Sequence, residues 1–233
     1  MPTFILIHSP LVGPLTWALV AEKLSQRGYP TLTPALPDAR SITPPYWQAH
    51  AESVAQAAHA ISINESIVLV SHSGAGALLP AIRLALQRPV AAYIFVDSLI
   101  PRHNASRLDL FGIPEQVTAF RKAAVDGRLP VWSAGDLRDA IPDSHIRERF
   151  AAELRPLPLA VYEEPVPVFA DWPDAPCAYL LFNRAAYAAH WDRANALGWA
   201  CAELPGSHFH LLNDPVTVTD AILNLIADLR LQI

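Results

Sequence analysis

The chain has 233 residues, 52% of them hydrophobic and 17% charged, and 17 Lys and Arg against 22 Asp and Glu leave a net charge of −5. That length suits one domain with a large core, and the few scattered basic residues exclude a nucleic-acid-binding surface. Two cysteines, Cys177 and Cys201, exclude a disulfide framework; both fall in stretches expected to form buried strands.

The first eight residues lack the basic start and small-residue cleavage site of a secretion signal. The longest uncharged run, residues 66–82, is interrupted by serines, a histidine, glycines and a proline, which excludes a membrane span. The cytoplasm is the expected location, with no membrane partner.

Short apolar runs alternate with helical patterns, as in a parallel sheet built from βαβ units. Residues 4–7 read as the first strand. Trp17, Val20, Ala21 and Leu24 recur at helical spacing, with Gly28 as the stop. A short strand at 29–33 precedes a proline-rich loop, 34–45. The Ala-rich stretch 46–63 reads as a helix. Residues 67–70 form a strand, 76–87 a helix and 90–96 an apolar strand ending at Asp97. After an irregular stretch come a strand at 177–182, a helix at 184–197 closed by Gly198, a strand at 199–204 and a last helix at 216–231. The count is six parallel strands, with helices on both faces.

Residues 98–175 differ from the rest. They hold many of the 22 prolines and two helical candidates, 114–125 and 143–154. A long insertion between core strands is expected to form a lid over a site. The core is then 1–97 with 176–233, in a single domain overall. Trp132, Phe150, Tyr162, Phe169 and Trp172 would line an apolar pocket or form the lid's own small core.

The segment Ser71-His72-Ser73-Gly74-Ala75-Gly76 sits between the strand at 67–70 and the helix that follows. A strand entering a tight turn and then a helix lifts the central Ser73 above the sheet, the layout of a nucleophile elbow. The usual G-x-S-x-G spacing is not met, but small residues fill the crowded positions. A hydroxyl nucleophile needs a base. His208, in Gly206-Ser207-His208-Phe209-His210 after the last strand, would reach the same sheet edge, with His210 at most part of a wall. The His-x-His pair lacks a third ligand at metal-binding spacing, so no metal is expected, and no cofactor is implied.

On these residues the chain resembles the α/β-hydrolase family over nearly its whole length, in its small esterase and hydroxynitrile-lyase branch. The stretch from His8 to Trp17 is similar to that branch's H-G-x-x-x-G-x-x-x-W segment and implies an oxyanion loop there. Two departures stand out. The family's acid usually follows the penultimate strand, where this chain has Asn183, and Asp192 comes too late, inside a helix. Asp97 is the acid candidate instead, with a cap at a strand end as the plainer role. The family's second oxyanion donor falls on Pro10, which has no N–H. Gly74 would supply one donor, and either the Leu11 N–H or the Ser9 hydroxyl the other.

The first expectation is a serine hydrolase cleaving an ester, thioester or similar acyl bond of a small apolar molecule through Ser73, His208 and Asp97. A lyase, cyclase or isomerase on the same fold is the second, favoured by Pro10. An inactive binding protein is the third. Monomer and homodimer both stay open.

Overall fold

The structure is a computed structural model that describes residues 1–229. In chain order the main strands are β1 (Thr3–Ile7), β2 (Thr31–Leu32), β3 (Ile67–Ser73), β4 (Ala92–Ser98), β5 (Cys177–Leu181) and β6 (Ala200–Glu203). They form one parallel sheet in the order β6-β5-β4-β3-β1-β2. The main helices are α1 (Leu15–Gln26), α2 (Tyr46–Ala57), α3 (Leu79–Leu86), α4 (Pro114–Ala123), α5 (Ser144–Glu153), α6 (Arg184–Ala196) and α7 (Pro215–Asp228). This is the α/β-hydrolase fold.

The alternation of strand side chains decides which helix covers which face. Leu6, Val70, Ile94 and Ala178 pair across β1, β3, β4 and β5 in one row. That row belongs to the cluster that takes Trp17, Val20 and Leu24 of α1 and Val218, Ile222 and Leu225 of α7. The alternate residues Ile5, Ile7, Leu69, Tyr93 and Phe95 pack on the other face with α2, α3 and α6. Gly28 at φ +85° ends the chain's run through α1 in the left-handed region. The Asp214 carboxylate caps α7 by accepting from the Thr217 N–H at 3.1 Å, with Pro215 in the first turn.

Several boundaries differ from the sequence reading. Prolines at 30 and 34 cannot donate to a ladder, so β2 keeps only two residues. The helix expected to reach residue 63 ends at Ala57, followed by a 3₁₀ turn, Ala58–Ala60. There Ser62 turns the chain, its carbonyl accepting from Glu65 N–H. The helix expected from residue 76 starts as a 3₁₀ segment, Gly74–Leu78, and becomes α-helical at Leu79, because its glycines are poor helix formers. The strand expected at 90–96 is shifted to Ala92–Ser98. Cys201 is half-buried on the edge strand β6, not buried. Residues 230–231 of the expected last helix lie outside the described residues.

Two short antiparallel ribbons join parts of the 98–175 segment, Ala105–Ser106 with Pro165–Val166 and Arg128–Leu129 with Leu157–Pro158. Leu137, Ile141, Phe150 and Leu154 of this segment pack with Val12, Leu15, Phe209 and Leu212. It is thereby joined to the loops that leave the carboxyl ends of β1 and β6. The strand order reverses beside β1, and open parallel sheets hold ligands at that kind of crevice. Among the described residues no helix is long and apolar enough to cross a membrane.

Four histidines are buried: His8, His50, His72 and His190. Burial lowers His8 and His190 to about 4 and His50 to about 3, and holds His72 well below the usual imidazole value. The unfolded chain protonates them near 6.5 while the folded chain does not, so it binds more protons between these values. Stability is therefore fully present above pH 6.5 and falls as pH drops toward 4, with a slope approaching about 1.4 kcal/mol per pH unit for each histidine. Melting temperatures measured from pH 7.5 to 4.5 are expected to decline, and His50→Gln, if it folds, to flatten the decline.

Candidate active site

β3 delivers Ser73 into a conformation that few non-glycine residues adopt, φ 58° and ψ −131°. The strain is held by the neighbouring strand end. The Ser73 carbonyl accepts from Ser98 Oγ at 2.7 Å and from Leu99 N–H at 3.0 Å. The sharp reversal also demands missing side chains. A Cβ on Gly76 would run into the Leu99 carbonyl and Ser98 Oγ, and one on Gly74 would stand 2.6 Å from the Tyr162 hydroxyl. Small residues at 74 and 76 are thus required by close approach, whatever the formal motif spacing.

Asp97, also at positive φ (44°), ends β4 fully buried. Its Oδ1 accepts from the Phe182 and Asn183 N–H groups at 2.8 and 3.0 Å, and its Oδ2 from His208 Nδ1 at 2.8 Å. A carboxylate only accepts, so Nδ1 carries the proton and Nε2 of neutral His208 is left as the basic nitrogen. The structure brings Asp97 to His208 across 111 residues of sequence. Asn183 contributes its backbone N–H alone, and Asp192 stays within α6.

The His208 ring lies between two flat groups. His72 stacks on one side at 4.4 Å between centroids and Tyr187 on the other at 5.2 Å, tilted by 28° and 11°. His72 Nε2–H also donates to the His208 carbonyl at 2.9 Å, which leaves the buried Nδ1 of His72 without a partner among the described residues. Burial keeps His72 neutral, so it positions His208 without adding charge. The Tyr187 hydroxyl lies 3.3 Å from Ser73 Oγ. Burial, then the nearby Asp97 charge, pushes the Tyr187 phenol well up, so it stays protonated.

The loop after β1 is fixed by His8. Its Nδ1–H donates to the Ser9 carbonyl at 2.9 Å and its Nε2 accepts from Leu36 N–H at 3.2 Å, roles that only the neutral ring fills. Pro10 has no N–H, and the Leu11 N–H is turned onto Ser9 Oγ at 3.4 Å. Of the two substitutes named from the sequence, the Leu11 N–H is therefore committed to Ser9. Ser9 Oγ also lies 3.0 Å from the Tyr162 hydroxyl.

Ser9, Leu11, Val12, His72, Ser73, Trp132, His208 and Phe209 line one narrow cleft of about 20 Å³. Leu11 and Val12 separate it from a hollow of about 270 Å³ on the other side of the loop, reached also by Asp38 and Arg155. His210 forms no part of the cleft wall; its ring packs against Phe182 at 5.4 Å. Of the five aromatics singled out from the sequence of the 98–175 segment, only Trp132 lines the cleft. Phe150 packs on Phe209, Trp172 on Tyr93 and Phe95, and Tyr162 on Phe120. Phe169 borders a separate surface hollow beside Trp199. Tyr187 and Phe209 escaped the sequence reading. Tyr187 carries a signal, the first turn of a helix that starts at the sheet's carboxyl edge, but α6 alone does not say which neighbour the phenol meets. Among the described residues no three His, Cys, Asp or Glu side chains gather as a metal site would require.

Comparison with curated protein sequences finds no match. Solved structures share the fold. An extracellular alpha/beta-hydrolase from a Paenibacillus species, described as sharing structural and functional homology with tobacco salicylic acid binding protein 2, has a TM-score of 0.74 at 18% identity, over 97% of this chain and 99% of that one. A pyrethroid hydrolase from Sphingobium faniae has a TM-score of 0.72 at 19% identity over 96% of each chain. Tomato methylketone synthase I, solved with 2-tridecanone, has 0.73 at 14% identity over 97% and 98%. These identities speak for the fold alone. The sequence profile of the alpha/beta hydrolase family matches residues 4–221. With that match over most of its length, the chain belongs to the α/β-hydrolase family.

Proposed function

We propose that the protein is a serine hydrolase of the small esterase branch that cleaves an ester or similar acyl bond of a small, largely apolar molecule. The observation that carries this reading is the Asp97–His208 pair at 2.8 Å, with its basic nitrogen on the ring that shares a cleft with the strained Ser73. Ser73 Oγ attacks the carbonyl carbon as its proton passes to His208 Nε2. Asp97 keeps the tautomer and stabilises the imidazolium that forms. The carbonyl oxygen gains charge beside the Gly74 N–H and the Ser9 hydroxyl. Collapse breaks the bond to the leaving group, which takes the proton from His208. Water then attacks the acyl-enzyme, with His208 again as base, and releases the acid.

The 98–175 segment serves as a cap, because its Trp132 closes the cleft and its apolar residues seat on Val12 and Phe209. The cleft encloses only about 20 Å³, room for little more than a water and far below the roughly 300 Å³ at which drug-sized sites begin, which favours short acyl groups. A second reading, a lyase or isomerase in which Ser73 only binds, draws on one observation: the hydroxyl nearest Ser73 Oγ belongs to Tyr187, a protonated phenol able to act as an acid.

Ser73→Ala is expected to abolish turnover of p-nitrophenyl acetate and labelling by a serine-reactive fluorophosphonate. Labelling that persists at another serine would sink the assignment, and turnover without any acyl-enzyme detectable by mass would favour the second reading. Asp97→Asn should lower kcat by roughly 10⁴, as loss of the correct tautomer does elsewhere, while Asp192→Asn should change it little. Equal, mild effects of the two would leave a Ser73–His208 dyad. Across p-nitrophenyl esters, kcat/KM should fall from acetate to octanoate; a rise with chain length would refute the small-acyl reading.

A further inference from the structure

The hydroxyl of Ser9 has one proton and two acceptor positions. The Leu11 N–H occupies one acceptor at 3.4 Å, and the Tyr162 hydroxyl lies at 3.0 Å. Tyr162 is 2% exposed, and Ser9 Oγ is the one hydrogen-bond partner of its hydroxyl among the described residues. A phenol is the better donor of the two hydroxyls. If it pointed its proton elsewhere, that proton would be buried without a partner, which is costly. With both acceptors of Ser9 filled, its single proton has no partner except what enters the cleft, and Ser9 lines that cleft with Ser73 and His208. Both hydroxyls also stand beside Gly74. The point where a Gly74 Cβ would lie is 3.2 Å from Ser9 Oγ and 2.6 Å from the Tyr162 hydroxyl.

We propose that Tyr162, carried on the 98–175 segment, is a positioning residue of the oxyanion hole: its phenol donates to Ser9 Oγ and thereby aims the Ser9 O–H at the substrate's carbonyl oxygen, in place of the N–H that Pro10 lacks. This rests on the hydrolase reading of Ser73. The phenol is fixed on every side. Phe120 and Phe111 pack against its ring with centroids 4.7 and 6.3 Å away. The fully buried Arg107 lies 5.7 Å from the ring centroid, donating from Nη1 to the Val161 carbonyl at 2.6 Å and from Nε to the Gly74 carbonyl at 3.1 Å. One guanidinium therefore ties the segment's backbone to the turn that holds the nucleophile. Burial raises the phenol's pKa, so it remains a donor over the working pH range. The oxyanion hole is complete only when the segment around Tyr162 is seated.

The test uses Tyr162→Phe, Ser9→Ala, Ser9→Thr and the Tyr162→Phe, Ser9→Ala double variant of the full chain. Each is measured for kcat and KM with p-nitrophenyl acetate, for the rate of fluorophosphonate labelling, and for melting temperature. Tyr162→Phe keeps the packed ring and is expected to lower kcat and the labelling rate about 10-fold with KM nearly unchanged. Ser9→Ala should lower kcat by about 10²-fold, the loss of one oxyanion donor. Ser9→Thr should restore most of it. The double variant should match Ser9→Ala, because Tyr162 acts through Ser9. Wild-type kcat in Tyr162→Phe, or losses that multiply in the double variant, would overturn the relay while labelled Ser73 left the hydrolase reading standing. A wild-type protein that is not labelled at Ser73 would overturn both.

Discussion

The buried carboxylate of Asp97 is the contact on which the site depends. One oxygen takes two backbone N–H groups where β5 ends, and the other takes the His208 proton. Three segments far apart in sequence are thereby gathered at one point: the end of β4, the turn into α6, and the loop after β6. A carboxylate with 0% exposure is stable there because each oxygen is hydrogen-bonded to a donor. The same bond that fixes the His208 tautomer also closes the carboxyl edge of the sheet, so structure and chemistry share one group.

Around this point the site is made rigid by packing. His208 cannot swing freely, because His72 and Tyr187 hold both faces of its ring and His72 also holds its carbonyl. Ser73 keeps a strained backbone because Ser98 and Leu99 both bind its carbonyl. The chain accepts a buried nitrogen on His72 that has no partner among the described residues in return for a fixed ring. Placing reacting groups before substrate arrives is what such rigidity accomplishes.

The 98–175 segment is bound into this arrangement at two places with different character. The contact with Val12 and Phe209 is apolar and sets the width of the cleft. The contact through Arg107, Tyr162 and Ser9 is polar and reaches Gly74, the residue after Ser73. A segment joined to the turn by a guanidinium, and not by apolar packing alone, has a defined position relative to Gly74.

Much of the fold was legible from the chain alone. The continuous apolar runs at 4–7 and 67–70, and the helical spacing of Trp17, Val20 and Leu24, dictate strand, strand and helix, because short buried runs suit a parallel sheet and the 3.6 period puts those three side chains on one face. The elbow at Ser73 was legible because steric crowding leaves a mark in composition, small residues at 74–77, even where the motif spacing fails. Asp97 was a candidate from its place at a strand end. The contacts of His72, Tyr187 and Tyr162 were not legible. They depend on which of several aromatic and hydroxyl groups meet once α6 and the 98–175 segment have packed, and no spacing rule encodes contacts between residues 21, 114, 136 or 153 positions apart. Local residue types and periodicities determined the strands, the helices and the sharp turn at Ser73; only tertiary packing decided which hydroxyl faces Ser73 and which faces Ser9, because those pairings are set by distances through space.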